Sequence, residues 1–162
     1  MRVSEHTLKW IMRFYPPLFF QRIWVRRFHQ NFRGVDVKIA NSLLNRNYNS
    51  SIFGGTIYAA SDPFFAVLFD QIFRRKGYKT RVWLKSASIE YLKPGRTSLY
   101  FSIKLSDADI ETAKSVLDAS GKFVHKYPIE IMDKNGQLCA KVINEVYIRN
   151  LRYNDEQVTV SY

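Results

Sequence analysis

The chain has 162 residues, 46% of them hydrophobic and 15% aromatic, and a formal net charge of +11. That is one domain's worth of chain and enough to bury a real core. No run approaches the roughly 18 apolar residues of a membrane-spanning helix, and the single Cys139 excludes an internal disulfide framework and fits a reducing compartment.

In chain order, residues 5–15 and 17–31 are expected to form two helical pieces around Pro16-Pro17, with Leu, Ile, Trp and Phe interleaved among arginines. Residues 1–33 hold seven cations against the single Glu5, a net +6. The plain reading is a helical extension with aromatics packed on the domain and arginines in water. The sharper one is a basic amphipathic face at a membrane surface. Glu5, His6, Lys9 and Arg13 interrupt any signal-peptide core, so a cytoplasmic protein is expected.

Residues 35–44 alternate as a strand does, and a helix is expected over 55–75, its Phe64–Phe69 segment apolar nearly all round and therefore buried. Pro63 predicts a kink or a late start to that helix. Period two returns over 78–93, and Lys93-Pro94-Gly95-Arg96 reads as a type II turn. Thr97, Leu99, Phe101, Ile103 and Leu105 line one face of the next strand. Ser106 or Asp107 then caps a helix with Ile110, Ala113 and Leu117 inward, ended by Gly121. Phe123, His125, Tyr127, Ile129 and Ile131 make a strand whose His125 reads as a packing residue. Asp133-Lys-Asn-Gly136 turns the chain into a last strand formed by Leu138, Ala140, Val142, Asn144, Val146 and Ile148.

The segment Asn47…Gly54-Gly55…Asp62-Pro63 stands out. A glycine pair opening a helix offers unpaired N–H groups at the positive end of its dipole. A lone acid with apolar neighbours has the setting for a shifted pKa and for work as base or nucleophile. Holder of the electrophile and acid are thus expected together. The competing reading of Asp62 is a helix N-terminal acid held by the dipole. The three histidines have no ligand partners at metal spacing, Gly-x-Ser-x-Gly is absent, and no recognition helix or regular basic ladder is present. No metal, cofactor or nucleic-acid partner is therefore expected.

This order of elements, with this motif in the first loop, resembles the hotdog-fold acyl-CoA thioesterases of the phenylacetate-pathway (PaaI-like) branch. It is nearest an uncharacterised thioesterase-like group with an Asn-Arg-Asn-Tyr…Phe-Gly-Gly…Asp-Pro core. The resemblance implies an α+β hotdog fold: an antiparallel sheet of five to six strands wrapped round one long buried helix. It divides the chain into an N-terminal helical extension (1–33), a hotdog domain (34–152) and a polar tail (153–162). It implies hydrolysis of acyl-CoA or another acyl thioester, with the Gly54 amide as oxyanion donor, Asp62 as general base or nucleophile, and Asn47 positioning the water or the loop. Phe53, Gly55, Ser86 and Arg96 are the expected substrate-binding residues, Arg96 as part of a basic mouth for the nucleotide. The site forms between protomers in such enzymes, so a homodimer or homotetramer is implied. Phe53 stands where these enzymes commonly have His, and Ser50 where Gly is common. The alternative is a non-catalytic acyl-CoA or fatty-acyl binding protein of the same fold.

Overall fold

Ser4 opens the first helix: its Oγ accepts from the Thr7 N–H at 3.1 Å, and Glu5 and Arg13 sit at the dipole ends that favour them. This helix, α1 (Glu5–Phe14), stops before Pro16, which starts the short α2 (Pro16–Phe20). The computed structural model describes residues 3–153; the expected tail lies, from 154 onward, outside the described residues.

After Phe20 the helical expectation fails. Arg22 takes a left-handed φ of 59°, the chain turns, and β1 (Ile23–Phe28) runs as a strand with Ile23, Val25 and Phe28 buried. Tertiary pairing decides this: β1 finds β2 (Gly34–Ile39) as an antiparallel partner, and an aromatic segment fits a half-buried strand well. β2 itself is shorter than expected, ending at Ile39, where the motif loop begins.

The long helix is two helices. α3 (Gly54–Ser61) and α4 (Pro63–Arg75) meet at Asp62, because proline lacks the N–H for an i→i−4 bond. α4 buries Phe64, Phe65, Leu68, Phe69, Ile72 and Phe73 and forms the centre of the core. The remaining strands are β3 (Thr80–Tyr91), β4 (Leu99–Lys104), β5 (Lys122–Asp133) and β6 (Leu138–Asn150). They complete a six-stranded antiparallel sheet of order β1-β2-β4-β5-β6-β3, with β1 and β3 at its edges. Of the rows expected on these strands, Leu99, Phe101, Ile103 and Leu105 and Ala140, Val142, Asn144, Val146 and Ile148 are buried, while Thr97 and Leu138 are only partly so.

α5 (Asp107–Ser120) carries the expected signals in full. Ser106 and Asp109 form a reciprocal capping box, Ile110, Ala113 and Leu117 are buried, and Gly121 ends the helix at φ 71°. The β5–β6 turn also forms, with Gly136 at φ 79° and Asp133 Oδ1 accepting from the N–H groups of Asn135 and Gln137. Two local expectations do not hold. Lys93–Arg96 is no type II turn: Gly95 lacks the positive φ such a turn needs, and the Arg96 N–H instead reaches the Pro94 carbonyl at 3.0 Å. A Cβ on Gly95 would meet Leu99 at 2.8 Å, so close packing explains that glycine. His125 has the inward parity but is exposed, its ring stacked on Phe123 and edge-on to Tyr127.

Candidate active site

The loop before α3 is built by its asparagines. Asn45 is buried; its Nδ2 donates to the carbonyls of Gln21 and Ala40 at 2.8 and 2.9 Å, and its Oδ1 accepts from the Ser42 N–H. Asn47 closes the tip: Oδ1 accepts from the N–H groups of Asn49 and Ser51 and from Ser51 Oγ, at 3.0–3.2 Å. Within that tip Ser50 takes φ 58°, a left-handed conformation that explains why glycine suits the position. The Ile52 N–H then pins the loop to the Gly95 carbonyl at 2.9 Å.

This anchoring delivers the chain into α3 with Gly54 as the first helical residue and no side-chain cap from Phe53. The N–H groups of Gly54 and Gly55 have no backbone acceptor among the described residues. They stand at the positive end of the helix, where an anionic oxygen is favoured. Tyr91, from the end of β3, donates its hydroxyl to the Gly54 carbonyl at 2.8 Å, and its ring would lie 3.1 Å from any Cβ on Gly54. Phe53 folds its ring over Gly55, which has no side chain to oppose it. A groove of about 330 Å³ opens here, lined by Asn47, Ser51, Gly54, Tyr91 and the Leu92–Gly95 loop.

Asp62 lies at the other end of α3. Eight helical rises of about 1.5 Å put it roughly 12 Å from Gly54. Within one chain, then, the acid and the glycine amide do not sit together as expected, and they cannot bracket one carbonyl. Nor is Asp62 a capping residue: it is at the start of α4, yet its φ and ψ are helical and its side chain makes no cap hydrogen bond. Among the described residues its carboxylate has no hydrogen-bond or ion-pair partner. The side chain is exposed in the single chain, and still the protein around it removes enough water to push the carboxyl above its ordinary range.

The break that presents Asp62 is held from the sheet. Asn144, wholly buried on β6, donates Nδ2 to the Ser61 carbonyl at 2.7 Å, and Ser61 Oγ donates to the Tyr58 carbonyl at 2.7 Å. Sequence reasoning took Asn144 as an ordinary strand residue. Its only signal was a polar side chain in an otherwise apolar inward row.

Ser86 and Arg96 are elsewhere. Ser86, on β3 beside a bulge, donates to Glu145 Oε2 at 2.7 Å and, with Lys85, holds that carboxyl below its usual range. Arg96 is exposed in the loop beyond Gly95 and does not line the groove. A larger cleft, about 910 Å³, opens on the outer sheet face, where β4 and β5 pair only at Leu99–Tyr100 with Asp133–Met132. Its lining includes Asp36, Ser102 and Glu130 but none of the motif residues. Among the described residues no three His, Cys, Asp or Glu side chains are grouped as for a metal ion.

A sheet wrapped on one central helix, with a glycine-started helix in the first loop, is the hotdog fold. Three solved structures share the fold. The probable thioesterase PA5026 of Pseudomonas aeruginosa matches 93% of this chain and 98% of its own (TM-score 0.82, 12% identity). The thioesterase HI1161 of Haemophilus influenzae matches 96% of each chain (0.67, 12%). The E. coli PaaI protein of the phenylacetic acid degradation operon matches 91% of this chain and 96% of its own (0.58, 14%). The chain belongs to the family described as a domain of unknown function (DUF4442), which matches residues 5–148. No curated protein sequence matches it.

Proposed function

We propose that the protein hydrolyses an acyl thioester, with Asp62 of one copy acting as general base and Gly54 of a second copy supplying the oxyanion donor. The observation that carries this is the separation of two incomplete halves. A free pair of helix-start amides and an unpartnered, partly desolvated carboxylate stand at opposite ends of α3, each lacking what the other offers.

In the reaction, Asp62 takes a proton from water as the water oxygen bonds to the thioester carbonyl carbon. The Gly54 N–H holds the resulting oxyanion. The intermediate collapses by breaking the C–S bond, and the proton on Asp62 goes to the leaving thiolate. The products are a carboxylic acid and a thiol. Asn47 keeps the loop closed with its Oδ1, leaving its Nδ2 protons free of partners among the described residues for the substrate or water. Lys93 in the groove wall, with Arg96 beyond it, offers cations for the phosphates of a CoA carrier.

Two copies need a joining surface. β3 is an edge strand of twelve residues whose outer backbone groups pair with no strand among the described residues. Antiparallel β3–β3 pairing about a two-fold axis would build one continuous sheet. Cys139 is buried and unbridged, in keeping with a cytoplasmic setting.

The test is thiol release from a panel of short, medium, long and aromatic acyl-CoAs, wild type beside Asp62→Asn. Turnover that disappears in the variant is the expected result; full activity in Asp62→Asn removes Asp62 from the mechanism. One observation favours a second reading. The Phe53 ring covers Gly55, where a polar imidazole would otherwise reach the carbonyl. A non-catalytic acyl-binding protein would retain an acyl ligand through purification and release no thiol from any substrate.

A further inference from the structure

Helix α1 has two apolar faces, and only one of them is used. Leu8 and Met12 pack inward, and Arg13 Nε ties the helix to the Val25 carbonyl at 2.9 Å. On the opposite side Trp10, Ile11 and Phe14 point to solvent, and Tyr15 and Phe20 extend the patch across the Pro16 bend. Phe14 and Phe20 are 67% and 65% exposed. These rings form one connected surface: Trp10 stacks on Phe14 at 6.1 Å, Phe14 on Phe19 at 6.3 Å, and Phe19 meets Phe20 and Trp24 at 5.5 and 5.8 Å. Scattered exposed apolar residues are ordinary, but a contiguous patch marks a contact.

Cations rim the patch. Arg13 lies over the Trp10 ring at 5.0 Å, Lys9 over the same ring at 5.7 Å, and Arg22 over Phe19 at 5.6 Å. With Lys9, Arg13 and Arg22 at its rings this is an apolar, ring-rich centre inside a positive border.

From this arrangement we infer that α1 and α2 dock the protein on the surface of an anionic phospholipid bilayer, the aromatic rings entering the headgroup boundary and the cations meeting lipid phosphates. The charge decides among occupants. Two copies of the face would bring like charges together, so it is poorly made for self-association. Nucleic acid would satisfy the cations and leave Ile11, Phe14 and Phe20 in water. An anionic membrane interface satisfies both: tryptophan and tyrosine favour the interface, phenylalanine and isoleucine its apolar side, and basic side chains the headgroups. α1 and α2 together have fifteen helical residues, so the contact is along the surface rather than across it. The inference stands apart from thioester hydrolysis, since it uses neither Asp62 nor Gly54.

The full chain is to be sedimented with vesicles of phosphatidylcholine alone and of phosphatidylcholine with roughly one-third phosphatidylglycerol, at low and high salt. Binding to the anionic vesicles, weakened by salt, is expected. The double variant Phe14→Ser/Phe20→Ser should bind at least about tenfold more weakly. Both side chains are largely in water, so its thermal melt should match wild type. Three results overturn the inference: no sedimentation with either vesicle, undiminished binding by the double variant, or a smaller oligomer for the double variant without lipid. The last would make the face a contact between copies.

Discussion

Gly54 and Asp62 are separable in their chemistry because one acts through its backbone and the other through its side chain. Gly54 is the first residue of α3, where proline is tolerated, and Phe53 before it is already extended. Gly54→Pro therefore removes the amide proton and keeps the helix start, whereas Gly54→Ala adds a Cβ against Tyr91 and keeps the proton. If the amide holds the oxyanion, Gly54→Pro should lose on the order of 10²–10³ in kcat relative to Gly54→Ala, with folding checked by circular dichroism. Equal kcat in the two would clear the amide of that role.

Asp62 makes a pH prediction whose sign follows from its cause. Desolvation raises the folded-state pKa above the unfolded one, so between the two values the folded protein binds more protons. Stability then falls as pH rises from the ordinary aspartate range through the raised value, and is level above it. Asp62→Asn removes that cost, so at pH 7 the variant should melt no lower than wild type, and any advantage should vanish in acid. In wild type, kcat/KM should rise with pH through the same elevated value, since the base must be ionised. An Asp62→Asn protein that melts well below wild type at pH 7 would show the carboxylate to be structural instead. The acid and the glycines were legible in the sequence because their spacing is local. Asn144 was not, because its partner, the Ser61 carbonyl, is 83 residues away.

At the scale of elements, β3 would give the proposed dimer a register. Tyr91 reaches Gly54, and Asn144, paired with Ala87, reaches Ser61 beside Asp62. Bringing Asp62 of one copy level with Gly54 of the other therefore matches Ala87 with Tyr91 of the partner and puts the two-fold near Ile89. Ile89→Cys should form a disulfide-linked dimer under mild oxidant on a non-reducing gel, and Lys85→Cys should form far less. The reverse order would sink this register. Elements with strong local signals were readable from sequence: α5 by its capping box and Gly121, the β5–β6 turn by Asp133 and Gly136, α4 by its phenylalanines. β1 was not, because an aromatic stretch of six residues suits a helix or a strand, and only the presence of β2 beside it selects the strand. The Lys93–Arg96 segment misled for a related reason. Its Pro-Gly pair favours a type II turn in isolation, but Gly95 is fixed by the Leu99 side chain and by the Ile52 bond to its carbonyl.

For the whole molecule, a site shared between copies predicts complementation. Asp62→Asn and Gly54→Pro proteins, each inactive alone, should regain activity when unfolded together and refolded as a mixture. A two-fold dimer gives half heterodimers with one intact site of two, so about a quarter of wild-type activity is expected. No recovery, with mixed dimers shown to form, would place the whole site in one chain.

The sequence by itself determined most of the buried rows and the candidate groups for chemistry. The phenylalanines of α4, the inward rows of the strands, the glycine-started helix and the acid before Pro63 all follow from short-range periodicity and spacing, which chain geometry enforces locally. Tertiary structure alone decided that residues 23–28 join the sheet, that Asn144 supports the break at Asp62, and that Trp10, Ile11, Phe14 and Phe20 stay uncovered. Each of these depends on what lies across space from a residue rather than along the chain, and a one-dimensional pattern carries no record of that partner until the sheet has closed.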